Sequence, residues 1–436
     1  MTQMTSTVRW MGRVSALGAE DRTRLFDRAT SSDTAIRETT AQLIAQVQER
    51  GDAALVEMAQ RFDGVSLEAI EIPRARWDEA LTSLAPDLRQ AMQRSATNIA
   101  SVHAAFVPEA KETSPEPGIV VRRRPDPLAR VGVYAPGGRA AYPSSVLMGA
   151  IPARVAGVRE VILCSPPDRT GLPAAVVLAA AALANVDRVF AVGGAGAIAA
   201  MAYGTNTIPR VDRIVGPGNA YVAEAKLQVS GAVAIDSPAG PSELLVIAGD
   251  TADPVTVARE VMAQAEHDPL AAVVVVTVGE TAATQIAAAI DDAVVGQPRE
   301  QIIRDALSGR GAVLSAASID EAIAFSDAFA PEHLLVATTD AAVVATRCRN
   351  AGTIFVGAYS SVAFGDYMTG ANHVLPTGGL ARSYSGLSVL DFIRWTTYQT
   401  VDRQAAARLA PDVTTFAMSE GLPAHAAAAA QWENPR

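Results

Sequence analysis

VGVYAPGGRAAYPSSVLMGAIPARVAGVREVILCS, residues 131–165, sets two short apolar, β-branched runs around one alanine-rich helical stretch. Strand, helix, strand with glycine and proline at the junctions is the signature of a parallel crossover. Moving outward, the alternation continues through AAVVLAAAALANV, RVFAV, IAAMAYG, RIVG and AYVAEAKLQVS. A second series then runs through SELLVIA, VTVAREVMAQAEH, AAVVVVTV, GAVLS, DEAIAFSDAF, HLLVAT, AAVVATRCRN and GTIFVG. The pattern predicts an α/β protein with two Rossmann-like parallel-sheet lobes, and a cleft between such lobes is the default place for a ligand. Residues 1–105 read as helical, with amphipathic periods in TAIRETTAQLIAQVQERG and APDLRQAMQRSATNIASVHAAF. Beyond about residue 376 the sheet pattern stops and helical segments carry the chain onward.

The totals agree. A chain of 436 residues is too long for one ordinary core. With 49% hydrophobic but only 5% aromatic residues, the interior is aliphatic and alanine-rich, as helices packed on a parallel sheet require. A formal charge of −10, with no extended Lys/Arg cluster, argues against nucleic-acid binding. The one tight basic run, Arg122, Arg123 and Arg124, reads as a solvated strand end. Cys164 and Cys348 are too few and too far apart for a disulfide framework or a thiolate zinc site. No basic stretch followed by an apolar one marks a secretory signal, and AAVVLAAAALA is too short to span a bilayer. A soluble cytoplasmic protein is expected.

The chemistry-bearing residues are sparse and grouped. Asp253-Pro254 starts a helix on which Val257, Val261 and Ala265 form the buried stripe. Gln264 and His267, three apart near its end, can both offer a neutral lone pair to one cation, although such residues in a last turn usually only cap it. Of five histidines, only His103 sits on an amphipathic helix. The other four, at 267, 333, 373 and 425, lie near carboxylates in polar, turn-rich contexts. Histidine, glutamine and aspartate around an open position is a catalytic zinc type of donor set. Glu332 and His333, where a loop enters a strand, can serve as a general acid/base pair or sit as an ordinary surface pair. VYAPGGRAAYPSS, AVGGAGAIAA and RIVGPGNAYV each join a strand to a helix through glycine, which suits a phosphate-rich ligand or a bare turn. Arg139, after the first turn, can hold an anion or simply face solvent.

GVYAPGG, YPSSVLM, GPGNAYVAEAK, DSPAGPSELLVIA, QAEH, APEHL, GDYMTGANHVLPT and EGLPAH, in this order, resemble the histidinol dehydrogenase family across roughly residues 35–430. The resemblance implies oxidation of L-histidinol through the aldehyde to L-histidine, using two NAD and one zinc. Residue by residue, it implies Gln264, His267, Asp366 and His425 as zinc ligands and Glu332 and His333 as acid/base residues. Ser242, Gln264, His267, His333, Asp366, His373, Glu420 and His425 become the substrate contacts. NAD falls to Tyr134, Asn219 and the turn at Gly196, where family members commonly carry glutamine. A homodimer is implied, with the C-terminal segment of one subunit completing the other's site. The corresponding domains are an N-terminal helical arm, 1–30, and a first α/β lobe, 31–125 with 236–376. A second lobe, 126–235, lies on the NAD side, and a C-terminal helical segment covers 377–436.

In the implied chemistry His333 takes the alcohol proton, and water activated by Glu332 hydrates the aldehyde before the second oxidation. Cys164 would be the alternative nucleophile, but VILCSPP reads as a buried strand end where a thiol is inert. Three rivals remain open on the sequence. One is a zinc/NAD dehydrogenase of the same family acting on another polyol or sulfonated alcohol. The second is a zinc hydrolase with Glu332 as base, which leaves the glycine turns unexplained. The third is a non-enzymatic binding protein, which has little reason to keep the donor set together with the acid/base pair.

Overall fold

Strand Ala272–Val278 (AVVVVTV) is apolar but for Thr277 because both of its faces are covered. It lies inside a six-stranded, wholly parallel sheet ordered Trp10–Arg13, Gly311–Ala316, Ala272–Val278, Glu243–Ala248, His333–Ala337, Thr353–Val356. The second sheet is ordered Glu71–Ile72, Arg188–Ala191, Glu160–Ser165, Arg130–Tyr134, Arg213–Val215, Ala234–Ile235. It is parallel except at its Glu71–Ile72 edge. This computed structural model describes residues 6–28, 34–137 and 141–433.

Both sheets are wound alike. Each series begins in mid-sheet, at Arg130–Tyr134 or Glu243–Ala248, and steps outward through two strands. It then crosses back to add two strands on the other side. Each therefore has a switch point beside its first strand, where adjacent connections leave in opposite directions and open a crevice. Side chains alternate between the two faces. In the first sheet Leu244, Val246, Val273, Val275 and Leu335 fill one core, and Leu245, Ile247, Val274, Val276 and Leu334 fill the other.

Three features depart from the sequence reading. The N-terminal arm is not purely helical: Trp10–Arg13 adds an edge strand to the first sheet before helix Ala19–Phe26. Residues 34–105, expected with the first lobe, pack on the second. Helix Thr34–Arg50 lies against Gly194–Tyr203 and Ala220–Val229, Arg74–Ser83 against Ala175–Leu183, and Pro86–Ala105 against Pro143–Ala156. Amphipathic periodicity announces a buried face without naming the surface that buries it. The C-terminal segment also contains a strand, Ile393–Val401, paired antiparallel with Ile119–Pro127, which in turn pairs with Lys111–Thr113. This ribbon is largely exposed, so it lacks the apolar alternation that marks a strand. Arg122, Arg123 and Arg124 are indeed solvated there, with Arg123 over Trp395 and Arg124 over Tyr398. Helices Arg403–Ser419 and Pro423–Ala430 follow and pack on each other.

Gly216, at the switch point of the second sheet, has φ +121°, and a Cβ there would stand 2.1 Å from the Tyr134 carbonyl oxygen. Gly216→Ala should cost about 3 kcal/mol through strain and backbone displacement. The measurement is urea unfolding, with Gly231→Ala as control. A Cβ at Gly231 meets nothing within 4 Å, and that variant should stay within about 0.5 kcal/mol of the parent.

Candidate active site

Polar side chains gather at one switch point in each lobe, but at opposite ends of the strands. In the first sheet they stand where Glu243–Ala248 and His333–Ala337 begin. Those strands pair in parallel with Leu244 beside His333, which brings Glu243 next to Glu332. Glu332 and His333 are buried, not surface residues. The Glu243 amide donates to Glu332 Oε2 at 2.7 Å, leaving Oε1 free of that bond. His333 Nδ1 lies 3.0 Å from the Glu243 carbonyl and 3.4 Å from Glu332 Oε2. A carbonyl only accepts, so Nδ1 carries a hydrogen and Nε2 is the nitrogen left to gain or lose one.

His333 Nε2 is 3.9 Å from Asp366 Oδ1. Asp366 belongs to the short helix Val362–Tyr367, and its main-chain oxygen holds His373 Nδ1 at 3.0 Å. Two imidazoles thus face one carboxylate with opposite tendencies. Burial pulls His333 down, but the Glu332 carboxylate, with Asp366 and the Glu243 carbonyl, outweighs it and raises the group to about 9. For His373, burial dominates and lowers the group despite Asp366. Separation of this kind lets neighbouring groups take different proton-transfer roles.

Helix Pro254–Ala265 starts as its sequence predicts, with the Asp253 side chain accepting from Val255 and Thr256 and with Val257, Val261 and Ala265 buried. It packs on Val362–Tyr367, so Gln264 and Asp366 stand on neighbouring elements. Glu260, one turn before Gln264, is buried and accepts from the Val362 amide at 3.0 Å, joining the two helices directly. Gln264 is 2% exposed, yet among the described residues its side chain makes no hydrogen bond. The same holds for the Asp366 carboxylate and the half-buried His267 ring. These donors keep the lone pairs that zinc requires, and a neutral amide, an imidazole and one carboxylate suit that ion. Among the described residues no group of three or more His, Cys, Asp and Glu side chains converges as a metal cluster. Ser242 immediately precedes Glu243 and is half-buried.

Glu420 and His425 are exposed in the C-terminal helical pair, and the chain does not fold them onto the other expected donors. Two charged residues at the site have no role assigned from the sequence: Glu243, although it lies within DSPAGPSELLVIA, and Arg28, which reaches it from the arm. The available signal was a lone carboxylate at the head of the apolar strand ELLVIA, and Glu260 breaks its own buried stripe in the same way.

In the second sheet the turns after Arg130–Tyr134, Arg188–Ala191 and Arg213–Val215 stand at the carboxyl ends of the strands. Helices Pro143–Ala156, Gly194–Tyr203 and Ala220–Val229 follow them, each turning its amide-rich start toward that edge. Tyr134 is buried beneath the second turn, and its hydroxyl accepts from the Gly194 amide at 3.0 Å. Gly196 is buried in helix Gly194–Tyr203, where a Cβ would meet Met58 Sδ at 2.8 Å and Leu55 Cδ2 at 3.3 Å. Either side chain would have to shift to admit even a Cβ there. Asn219 is exposed and caps helix Ala220–Val229, its Oδ1 accepting from Tyr221 and Val222 at 3.1 Å each. Gly138 and Arg139 lie outside the described residues. Cys164 is fully buried, and burial drives its thiol far above the ordinary range, as expected of an inert cysteine.

Two doubly wound lobes, one holding a buried carboxylate–imidazole pair and the other three amide-rich turns, define a two-lobe α/β enzyme-like architecture. The histidinol dehydrogenase family model matches residues 26–431. The histidinol dehydrogenase of Methanosarcina mazei is 43% identical over 415 residues, covering 95% of each chain. That of Burkholderia lata is 44% identical over 435 residues, covering 98% of this chain and 99% of the relative. The crystal structure of histidinol dehydrogenase from Elizabethkingia anophelis has a TM-score of 0.92 at 34% identity, covering 98% of both chains. The chain belongs to the histidinol dehydrogenase family.

Asn219 separates cap from contact experimentally. Asn219→Ala should lose about 1 kcal/mol in urea unfolding, whereas Asn219→Asp keeps a capping oxygen and should stay within about 0.5 kcal/mol.

Proposed function

We propose that the chain catalyses the four-electron oxidation of L-histidinol through L-histidinaldehyde to L-histidine in the cytoplasm, consuming two NAD per histidinol and holding one zinc per subunit. The observation that carries this reading is the buried Glu332–His333 pair beside Asp366 and His373 in a chain of this family. Gln264, His267, Asp366 and His425 would hold zinc, which when bound supplies a Lewis acid for the substrate. Ser242, His373 and Glu420, with these ligands and His333, would hold histidinol. The glycine turns of the second sheet, around Tyr134, Gly196 and Asn219, would take the NAD pyrophosphate, since amides at helix starts favour anions.

The residues divide the chemistry between them. In its neutral form, which prevails above about pH 9, His333 has Nδ1 tied to a carbonyl and receives the hydroxyl proton at Nε2 as a hydride passes from the alcohol carbon to NAD. Glu332, with one oxygen tied to the Glu243 amide, takes a proton from water as the water oxygen adds to the aldehyde carbon. The hydrated carbon then gives a second hydride to a second NAD, and loss of a further proton leaves the carboxylate.

Glu420 and His425 stand exposed on a helical pair that also exposes Phe416, Met418 and Trp432. This supports a homodimer in which each subunit lends these residues to its partner's site. No helix among the described residues is long and apolar enough to cross a membrane.

The test is NADH formed per L-histidinol, with and without a chelator, then with zinc restored. Two NADH per substrate, lost on chelation and regained with zinc, are expected. Glu332→Gln should slow aldehyde oxidation by about 10²–10⁴-fold, and full second-step activity in that variant would remove the role assigned to Glu332. Binding of NAD and zinc without turnover of histidinol would move the substrate to another alcohol.

A further inference from the structure

Behind the Glu332–His333 pair stands an ion pair that the chemistry above does not use. Arg28 follows helix Ala19–Phe26 of the N-terminal arm, and Phe26 anchors that helix edge-on against Phe325 and Phe329, at 5.3 and 5.5 Å. The Arg28 guanidinium lies 3.5 Å from the centre of the Phe329 ring and donates to the Phe329 carbonyl and to the Glu243 carboxylate. Both charged side chains are 2% exposed. Glu243 Oε1 also accepts from the Gly378 amide at 2.7 Å, and Oε2 from the Glu332 amide at 3.3 Å.

Glu243 and Glu332 are therefore bound reciprocally, each amide donating to the other's carboxylate, while the carbonyl of Glu243 fixes the His333 ring. A displacement of Glu243 turns both members of the pair at once. Stability alone is a poor reason for this arrangement, because a buried ion pair is often matched or bettered by apolar residues of similar volume. Its geometry has a better reason: the main-chain groups of Glu243 orient both reactive side chains.

We infer that Arg28 and Glu243 are positioning residues that hold Glu332 and His333 in working geometry, so that the N-terminal arm governs the chemical step and not substrate binding. This rests on the reading of Glu332 and His333 as the acid/base pair. Without Arg28, burial favours a protonated Glu243. A protonated oxygen set against an amide donor cannot keep both the Gly378 and Glu332 bonds, so the anchor shifts.

The experiment compares Arg28→Met, Arg28→Lys and Glu243→Gln in the zinc-loaded full chain, reading kcat and KM for histidinol and NAD together with thermal unfolding. Arg28→Met and Glu243→Gln should lower kcat by about 10–100-fold while each KM stays within about 2-fold. Arg28→Lys, which keeps the charge without the planar fork, should recover at least half of the lost kcat on a logarithmic scale. Should Arg28→Met fail to fold, Arg28→Lys and Glu243→Gln decide. Folded variants with kcat within about 2-fold of the parent overturn the inference. So does a fall in kcat/KM carried by KM alone. Glu332→Gln and His333→Asn serve as controls. If they keep full turnover, the acid/base reading itself fails. If they lose it while the Arg28 and Glu243 variants do not, only the positioning role fails.

Discussion

A carboxylate buried at the head of a central parallel strand has to be answered from several directions, and Glu243 imposes that requirement on the first lobe. It lies between a strand of the sheet's outward series and the strand that crosses back, so few side chains of its own neighbourhood can reach it. Its partners come from the N-terminal arm (Arg28), the neighbouring strand (Glu332) and the loop near Gly378. Three distant stretches of sequence are thereby fixed to one point. The Glu332–His333 pair sits where all three meet.

The two lobes share a winding pattern and use opposite ends of it. Carboxyl ends of parallel strands lead into helix starts, where unpaired amides accumulate, and the second lobe has three such turns around one crevice. Amino ends receive helix C-termini instead, which favour cations over carboxylates, so Glu243 there is answered by Arg28 and main-chain amides. Residues 236–242 run between the two arrangements. Asp236 accepts from the Gly216 amide of the second lobe's turn, and Gly240 donates to Thr377 just before the chain enters Glu243–Ala248. The segment that joins the lobes is held at both ends by the loops that shape their crevices.

Much of this was legible in the residues, because parallel strands covered on both faces leave continuous apolar runs, and both sheets were read from runs such as VILCS and AAVVVVTV. The exposed ribbon Ile393–Val401 left no such trace, since pairing there relies on main-chain bonds with little apolar burial. The partner of helices 34–105 was equally silent, because a stripe of apolar residues carries no address. At the site, Glu332, His333, Asp366 and His373 are brought together from positions the histidine census had already isolated. The roles of Arg28 and Glu243 escaped because they lie in a contact across 215 positions of sequence, which no local motif reveals.

The same long reach governs the order of assembly. Every strand of the second sheet, from Glu71–Ile72 to Ala234–Ile235, is synthesised before Glu243 leaves the ribosome, so that lobe can close on the nascent chain. Strand Trp10–Arg13 and Arg28 are made before any strand of the second sheet, yet their partners at Gly311–Ala316, Phe329 and Glu243 come much later. This arm must therefore stay undocked while some two hundred further residues are added, and it meets Glu243, beside the Glu332–His333 pair, only once the first lobe has been made.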